Sequence, residues 1–150
     1  MIRLETSRRT GIHNVQEFEI SAFHLNWNAR IPKDFPDATP RGEMSALYNC
    51  HGLTFASRRT RVENTQCLHQ ILHDDDWKPL EAKEVLPGDI VIYFSEEGEA
   101  NHSGVIVQCD APLYLPIVFS KWGNAGEYIH KLTYCPSIYG PVTKFYRCHL

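Results

Sequence analysis

The chain has 150 residues, of which 43% are hydrophobic and 22% are charged, and its formal net charge is −3 at pH 7. This length and composition are ordinary for one globular domain that has its own core. Because the net charge is negative and gives no strongly positive electrostatic field, nucleic acid is not expected as a partner. The sequence contains no apolar run of about eighteen residues that would span a membrane, so no membrane partner is expected either.

The compartment is predicted from the first residues and from the cysteines. Residues 1–9 carry charges but no apolar segment, so we expect no secretory signal peptide and a cytoplasmic location. Export by a dedicated secretion system, as for effector proteins, stays open. The cysteines are odd in number and irregularly spaced, which makes a poor disulfide framework and fits a reducing compartment. They are Cys50, Cys67, Cys109, Cys135 and Cys148.

Residues 1–43 are predicted to form an N-terminal extension packed on the remaining domain. The partial alternation of residues 17–24 favours an edge strand. Residues 26–40 contain three prolines and indicate an irregular loop. A lid, a substrate wall and a partner surface remain open as roles for this extension.

Two helices are predicted next. Residues 44–57 become helical near Cys50, and a second helix runs from Asn64, a good N-cap, to about His73. The second helix has an apolar stripe at helical spacing, which predicts its buried face. The stripe consists of Cys67, Leu68, Ile71 and Leu72.

From residue 89 onwards the pattern changes to short strands separated by Gly, Asn and Pro. The predicted strands cover residues 89–94, 102–109, 116–121, 127–132 and 142–148. Helices first and hairpin-connected strands later predict an α+β fold. We therefore expect a domain over residues 44–150 in which N-terminal helices pack on an antiparallel sheet of about five strands.

Two residues in this arrangement carry the chemistry. Cys50 stands where a helix begins, and a thiol there has a lowered pKa, which favours the reactive thiolate. His102 stands where a strand begins, and a nearby imidazole can take the thiol proton and later return it. The alternative interpretation is a small apolar core cysteine and a polar residue at a strand end.

Three segments resemble a known family in their order and spacing. The resemblance is to the NlpC-type cysteine peptidases and their CHAP-domain relatives in the papain-like superfamily, and it covers about residues 44–148. It implies a papain-like fold, with Cys50 as nucleophile and His102 as general base. The segments are Asn49-Cys50-His51-Gly52-Leu53, Leu86-Pro87-Gly88-Asp89-Ile90-Val91 and His102-Ser103-Gly104-Val105-Ile106-Val107.

The resemblance implies further roles around the nucleophile. The backbone N–H of Cys50 would stabilise an oxyanion, and Tyr48 would line the oxyanion hole. His51, where the family often has serine, would contact substrate or add positive charge. Trp122 is most simply a core residue, and a substrate-groove residue is the alternative.

The residue that should orient the imidazole of His102 departs from the family pattern. The family places His, Asn, Gln or Glu on the following strand, whereas this chain has Ser120 or Lys121 there. Serine is a weak acceptor, and a charged lysine has donors only. Asn124, His130 or a backbone carbonyl are alternative orienting groups, and a site with weak or no catalysis is another.

These observations predict a cysteine hydrolase of amide bonds, peptide or isopeptide, that acts on a peptide or protein substrate without a cofactor. An acyltransferase that uses the same Cys–His site is one alternative. A catalytically dead papain-like binding module is another, motivated by the missing orienting residue. A thiol-based redox or structural role of the cysteines is a third and weaker hypothesis.

A metal site is not expected. Cys67, His69 and His73 lie near three aspartates at residues 74–76, but Cys67 and His69 face different directions on a helix. No second pair of ligands closes a tetrahedral zinc site. The sequence does not predict the oligomeric state.

Overall fold

The computed structural model describes residues 1–110 and 115–149. Three helices and seven strands make up the regular structure of these residues. In chain order they are α1 (Ala22–Asp34), β1 (Thr39–Gly42), α2 (Cys50–Phe55), α3 (Thr65–Asp74), β2 (Trp77–Leu80), β3 (Ile90–Phe94), β4 (Ala100–Asp110), β5 (Leu115–Lys121), β6 (Glu127–Lys131) and β7 (Val142–Cys148).

The strands form one antiparallel sheet in the order β1-β6-β5-β4-β3-β7-β2. This confirms an α+β fold, and the five predicted strands are β3 to β7. The sheet is larger than predicted because β1 and β2 add a short strand at each edge. Each contains a proline, Pro40 or Pro79, which has no N–H for the ladder and is therefore tolerated at an edge.

Both predicted helices are present, and Asn64 is the N-cap of the second one as predicted. The side chain of Asn49 accepts a hydrogen bond from the Gly52 N–H at the start of α2, and that of Asn64 accepts from Gln66 at the start of α3. Leu68, which belongs to the predicted stripe, is 1% exposed, and α3 packs on the inner face of β3. These contacts fix the helices on one face of the sheet.

Most of the secondary structure predicted for residues 17–40 is wrong: residues 17–21 form no strand, and only residues 35–38 are the irregular loop that was expected. Residues 22–34 form the helix α1, which Ser21 caps and in which Pro32 lies near the end. Trp27, Ile31 and Phe35 recur every fourth residue, so they lie along one side of the helix and pack against the sheet. Tertiary packing of this stripe outweighs the helix-breaking tendency of the proline.

The Pro87-Gly88-Asp89 segment is a turn that sets the start of β3. Gly88 has φ +95°, a conformation that glycine adopts without strain. Asp89 accepts from the Leu86 N–H at 2.8 Å and from Nε and Nη2 of Arg147, each at 2.8 Å. The segment therefore ties the start of β3 to β7 and has a structural role.

Candidate active site

Cys50 is held at one end of the short helix α2, which packs over β4 and β5. Asn49 Oδ1 accepts from the N–H groups of Gly52 and Val62, and Asn49 Nδ2 donates to Val62 O at 2.9 Å. A Cβ on Gly52 would lie 1.9 Å from the carbonyl oxygen of Thr60. Glycine is therefore required where the following loop crosses α2, and the crossing fixes the position of Cys50.

Cys50 and His102 line the same cleft, at the end of the sheet where β4 begins and β5 ends. The cleft has a volume of about 280 Å³. Cys50 is 6% exposed and His102 is 0% exposed. Polar and aromatic side chains make up most of the other walls, namely those of Asn49, His51, Arg61, Glu63, Asn101 and Tyr139.

The thiol of Cys50 is acidic in this setting. Burial by itself would raise its pKa, but the positive charges of His51 and His102 outweigh burial and hold the pKa well below that of a free thiol. The cleft therefore favours the thiolate, which is the nucleophilic form.

His102 is positioned by aromatic rings. Its imidazole stacks on the ring of Tyr139 with centroids 3.8 Å apart and planes 3° apart, and Tyr93 contacts it edge-on at 5.2 Å. Among the described residues, neither ring nitrogen of His102 has a hydrogen-bond partner, and neither does the hydroxyl of Tyr139. Leaving such buried groups unpaired costs about 1–3 kcal/mol each, so this wall is the part of the cleft where the fold leaves its polar groups unsatisfied.

His51 is the second imidazole of the cleft and is fully hydrogen-bonded. Its Nδ1 lies 2.8 Å from Ser103 Oγ, and its Nε2 lies 3.0 Å from the carbonyl oxygen of Ala100. Burial disfavours its charged form, but the thiolate of Cys50, the Ala100 carbonyl and the carboxylate of Glu63 raise the pKa of His51. The raised pKa favours the charged form of His51, which lies beside the thiol.

The structure does not bring Ser120 into contact with His102. Ser120 Oγ lies 2.7 Å from Nε2 of His130 and accepts from Trp122 Nε1 at 3.1 Å. Trp122 is fully buried against Phe35 beneath α1, which is the core position. Asn124, another predicted alternative, accepts a hydrogen bond from Arg61 through its side-chain oxygen.

Lys121 and Tyr48 belong to a separate buried cluster. Lys121 Nζ donates to the carbonyl oxygens of Ser45 and Gly123 at 2.7 and 2.6 Å and lies 4.7 Å from the ring centroid of Tyr48. The Tyr48 hydroxyl donates to Glu127 at 2.6 Å rather than towards the cleft. Burial lowers the pKa of Lys121 to about 8, which still leaves this lysine positively charged at pH 7 and close enough to interact with the charge of Cys50.

A second groove of about 500 Å³ adjoins the cleft, and Arg61 and Glu63 line both. The N-terminal extension supplies His13 and Val15 to this groove. Val15 pairs with Arg61 through backbone hydrogen bonds of 3.0 and 2.8 Å. The extension therefore lines a groove beside the cleft, and its role stays a prediction.

Sequence analysis missed the groups that support the two imidazoles. Tyr139 lies in a 3₁₀ turn at Ser137–Tyr139, and no motif pointed to it. Ser103 and Thr54 are joined by a hydrogen bond of 2.9 Å on the α2 face of the sheet. A signal was present for both, because Thr54 lies one helical turn after Cys50 and Ser103 alternates with His102 across the strand.

No protein-family model, curated protein or solved structure matches the chain. Within the described residues, no helix is long and apolar enough to cross a bilayer. In the same part of the chain, no group of three His, Cys, Asp or Glu side chains could hold a metal ion. The chemistry of the protein must therefore be argued from the cleft itself.

Proposed function

We propose that this protein is a cysteine hydrolase of amide bonds in which Cys50 is the nucleophile and His102 transfers the protons. One observation carries the proposal. A fully buried imidazole with two unpaired ring nitrogens lines the same cleft as a thiol whose pKa is lowered. Cys50 interacts with this ring, and no other side chain of the described residues holds its nitrogens, so a water molecule or a leaving amine can engage them.

The reaction has two halves. The thiolate of Cys50 adds to the carbonyl carbon, and the electron pair of the C=O bond moves to oxygen. The C–N bond then breaks, and the amine leaves with a proton from the His102 imidazolium. In the second half, His102 takes a proton from water, the water oxygen adds to the thioester carbon, and the C–S bond breaks to give the acid and the thiolate.

The start of α2 supplies donors for the oxyanion. The first N–H groups of a helix have no intrahelical partner, and the Asn49 side chain already occupies the N–H of Gly52. The N–H groups of Cys50 and His51 are therefore the donors that the helix leaves for a substrate oxygen. This assignment replaces Tyr48, whose hydroxyl is bonded to Glu127.

The resemblance of residues 49–53, 86–91 and 102–107 to NlpC-type and CHAP-domain peptidases supports the same chemistry. A papain-like fold is part of the proposal, and a cysteine-bearing helix on an antiparallel sheet agrees with it. The clearest departure from that family is that no acceptor among the described residues takes a hydrogen bond from the ring of His102. Stacking on Tyr139 takes the place of the missing orienting residue.

A peptide or protein is the substrate class that the surroundings favour. The cleft continues into the groove that Arg61, Glu63 and Glu99 line, which suits an extended chain with polar groups. Hydrolysis and acyl transfer differ in whether water or another nucleophile resolves the thioester. Product analysis with and without an added amine distinguishes them.

The proposal is tested by alkylating each cysteine with iodoacetamide over a pH series, followed by peptide mapping. We expect Cys50 to react with a midpoint well below about 8.5, while the exposed Cys148 serves as the internal reference. Peptide hydrolysis should be lost in Cys50→Ala and retained in the matched variant Cys67→Ala. An ordinary midpoint for Cys50, or turnover that survives in Cys50→Ala, would overturn the hydrolase.

A peptide-binding module is the second candidate function. The observation that favours it is that no acceptor among the described residues holds the imidazole of His102. This candidate predicts that a peptide binds wild-type protein and Cys50→Ala with equal affinity and is not cleaved. Calorimetric titration of both proteins with peptides that bind the wild type, followed by mass analysis of the peptides, decides between the two.

A further inference from the structure

His51 lies in a chain of four hydrogen bonds that runs between two carbonyl oxygens. Its Nε2 is 3.0 Å from Ala100 O, and its Nδ1 is 2.8 Å from Ser103 Oγ. Ser103 Oγ is 2.9 Å from Thr54 Oγ1, which is 2.9 Å from Cys50 O. A carbonyl oxygen can only accept, so the two ends of the chain fix the direction of every bond between them.

The number of protons in the chain follows from these directions. Thr54 gives its one hydroxyl proton to Cys50 O, so Ser103 must donate in the bond between the two hydroxyls. Ser103 then has no proton left for His51, and Nδ1 of His51 must be the donor to Ser103. Since Nε2 donates to Ala100 O, all four bonds are made only when both ring nitrogens of His51 carry protons.

We propose that His51 is a fixed imidazolium whose charge keeps Cys50 a thiolate, while His102 carries the protons of the reaction. The proposal rests on the function proposed for Cys50. Loss of a proton from His51 leaves one of the four hydrogen bonds unmade inside the fold, which costs free energy. His102 has no such bonds among the described residues, so a change in its proton count breaks no hydrogen bond of the fold.

Other charges around the cleft act on one member of the pair or the other. Glu63 favours the imidazolium of His51, and it is itself paired with Arg61 at 2.8 Å. Lys121 on β5 and His102 on β4 favour the thiolate of Cys50. The same two charges oppose a further positive charge on His51, and burial keeps the phenol of Tyr139 neutral. Removing the charge of His51 should therefore raise the pKa of Cys50 without raising it all the way to that of a free thiol.

Thr54→Val tests this role because it changes neither imidazole and leaves the thiol in place. Without Oγ1 of Thr54, the hydroxyl of Ser103 can donate to Nδ1, and a neutral His51 satisfies its hydrogen bonds. We expect the alkylation midpoint of Cys50 to rise by on the order of one pH unit. Thr54→Ser keeps the hydroxyl and should restore the low midpoint.

Two histidine variants serve as the positive and the negative control for the change in the Cys50 midpoint. His51→Gln should raise the Cys50 midpoint at least as much as Thr54→Val. His69→Gln removes an exposed imidazole on α3 and should leave the midpoint unchanged. If circular dichroism shows that Thr54→Val disturbs folding, Thr54→Ala replaces it, and we expect the same rise in the Cys50 midpoint.

Nitrogen-15 NMR of the histidine rings measures the proton count directly. At pH 7 we expect two protonated ring nitrogens for His51 in the wild type and one in Thr54→Val, with the signals assigned by their loss in His51→Gln. A neutral His51 in the wild type would overturn the proposal. An unchanged Cys50 midpoint in both Thr54→Val and His51→Gln would also overturn it.

These measurements do not require turnover, so the two proposals can fail separately. A protein that cleaves no peptide but keeps a doubly protonated His51 and a low Cys50 midpoint supports the role of His51 and contradicts the hydrolase. A protein that cleaves peptides with a neutral His51 supports the hydrolase and contradicts the role of His51.

Discussion

The two faces of the sheet each bury an imidazole that uses both of its ring nitrogens, yet the two differ in proton count. His51, on the α2 face, is satisfied only as an imidazolium. On the opposite face, His130 Nδ1 lies 2.7 Å from Lys131 O and its Nε2 lies 2.7 Å from Ser120 Oγ. Ser120 accepts from Trp122 and can give its own proton to Nε2, so a neutral His130 makes every one of these bonds.

This comparison indicates that the charge of a buried imidazole depends on the next hydrogen bond along the chain, the one made by the serine that pairs with the ring. His51 and His130 each pair with one carbonyl and one serine, but Ser103 has given its proton to Thr54, whereas Ser120 has kept its proton for the ring. Burial lowers the pKa of His130 to about 4, while the pKa of His51 is raised. His102, with no hydrogen-bond partner among the described residues, is the third case, because no hydrogen bond of the fold fixes its proton count.

The largest effect should come from removing the unpartnered imidazole. His102→Gln takes away the group that protonates the leaving amine, and we expect kcat for peptide cleavage to fall by roughly 10²- to 10⁴-fold. His130→Gln, the matched change at the neutral imidazole, should retain a wild-type kcat at neutral pH. A His102→Gln protein that cleaves peptides as fast as wild type would mean that another group transfers the protons.

The neutral imidazole should control acid stability. His130 has a folded-state pKa of about 4, below the value of about 6.5 for an unfolded histidine. Its contribution to the free energy of unfolding is therefore complete above about pH 6.5 and is lost as the pH falls towards and through about 4. Between pH 7 and pH 5 the loss should be on the order of 2 kcal/mol.

Urea unfolding of wild type and His130→Gln at pH 7 and pH 5 measures this loss. The variant should be less stable than wild type at pH 7 but should lose less stability on acidification. Equal losses in the two proteins would show that His130 is not the group that titrates in this interval.

The two serines should differ in their effect on the thiol. Ser103→Ala leaves Nδ1 of His51 without an acceptor, and Ser120→Ala leaves the indole N–H of Trp122 without one, so each should lower the free energy of unfolding by about 1–3 kcal/mol. Ser103→Ala should also raise the alkylation midpoint of Cys50, because it favours a neutral His51. A similar rise in Ser120→Ala would contradict the separation of the two faces.

Local periodicity explains which elements were predictable. The stripe of α3 and the strands β3 to β7 each repeat an apolar pattern over enough residues to be recognised, and Asn49 and Asn64 mark helix starts. The strands β1 and β2 have four residues each and contain proline, so no alternation could reveal them. In α1, Pro32 argues against a helix at the level of sequence. The apolar stripe stabilises this helix only through its packing on Trp122.

The part of the candidate site that could be predicted consists of the residues that stand at the start of a helix or a strand. Cys50 and His102 stand at the starts of α2 and β4, and the fold brings these ends into one cleft. Tyr139 reaches His102 through a loop whose course no spacing encodes. The chain from His51 to Thr54 depends on strand register and on proton directions, which a linear pattern does not contain.

The smallest effect is expected at the unpaired hydroxyl beside His102. Tyr139→Phe removes a buried hydroxyl that has no partner among the described residues, while it keeps the ring that stacks on the imidazole. The free energy of unfolding should therefore change by less than about 1 kcal/mol, in the stabilising direction. Tyr93→Phe is the matched control, because the Tyr93 hydroxyl donates to Leu132 O and its loss should destabilise by about 1 kcal/mol.

Urea unfolding of the two variants compares a paired and an unpaired hydroxyl on the same face of the sheet. If Tyr139→Phe is as destabilising as Tyr93→Phe, the hydroxyl of Tyr139 has a partner in the folded protein, and this wall of the cleft is not free to bind a reactant. If Tyr139→Phe is neutral or stabilising and its KM for a cleaved peptide rises, the hydroxyl is a substrate contact. The free energy that the fold gives up by burying it unpaired is then recovered when substrate binds.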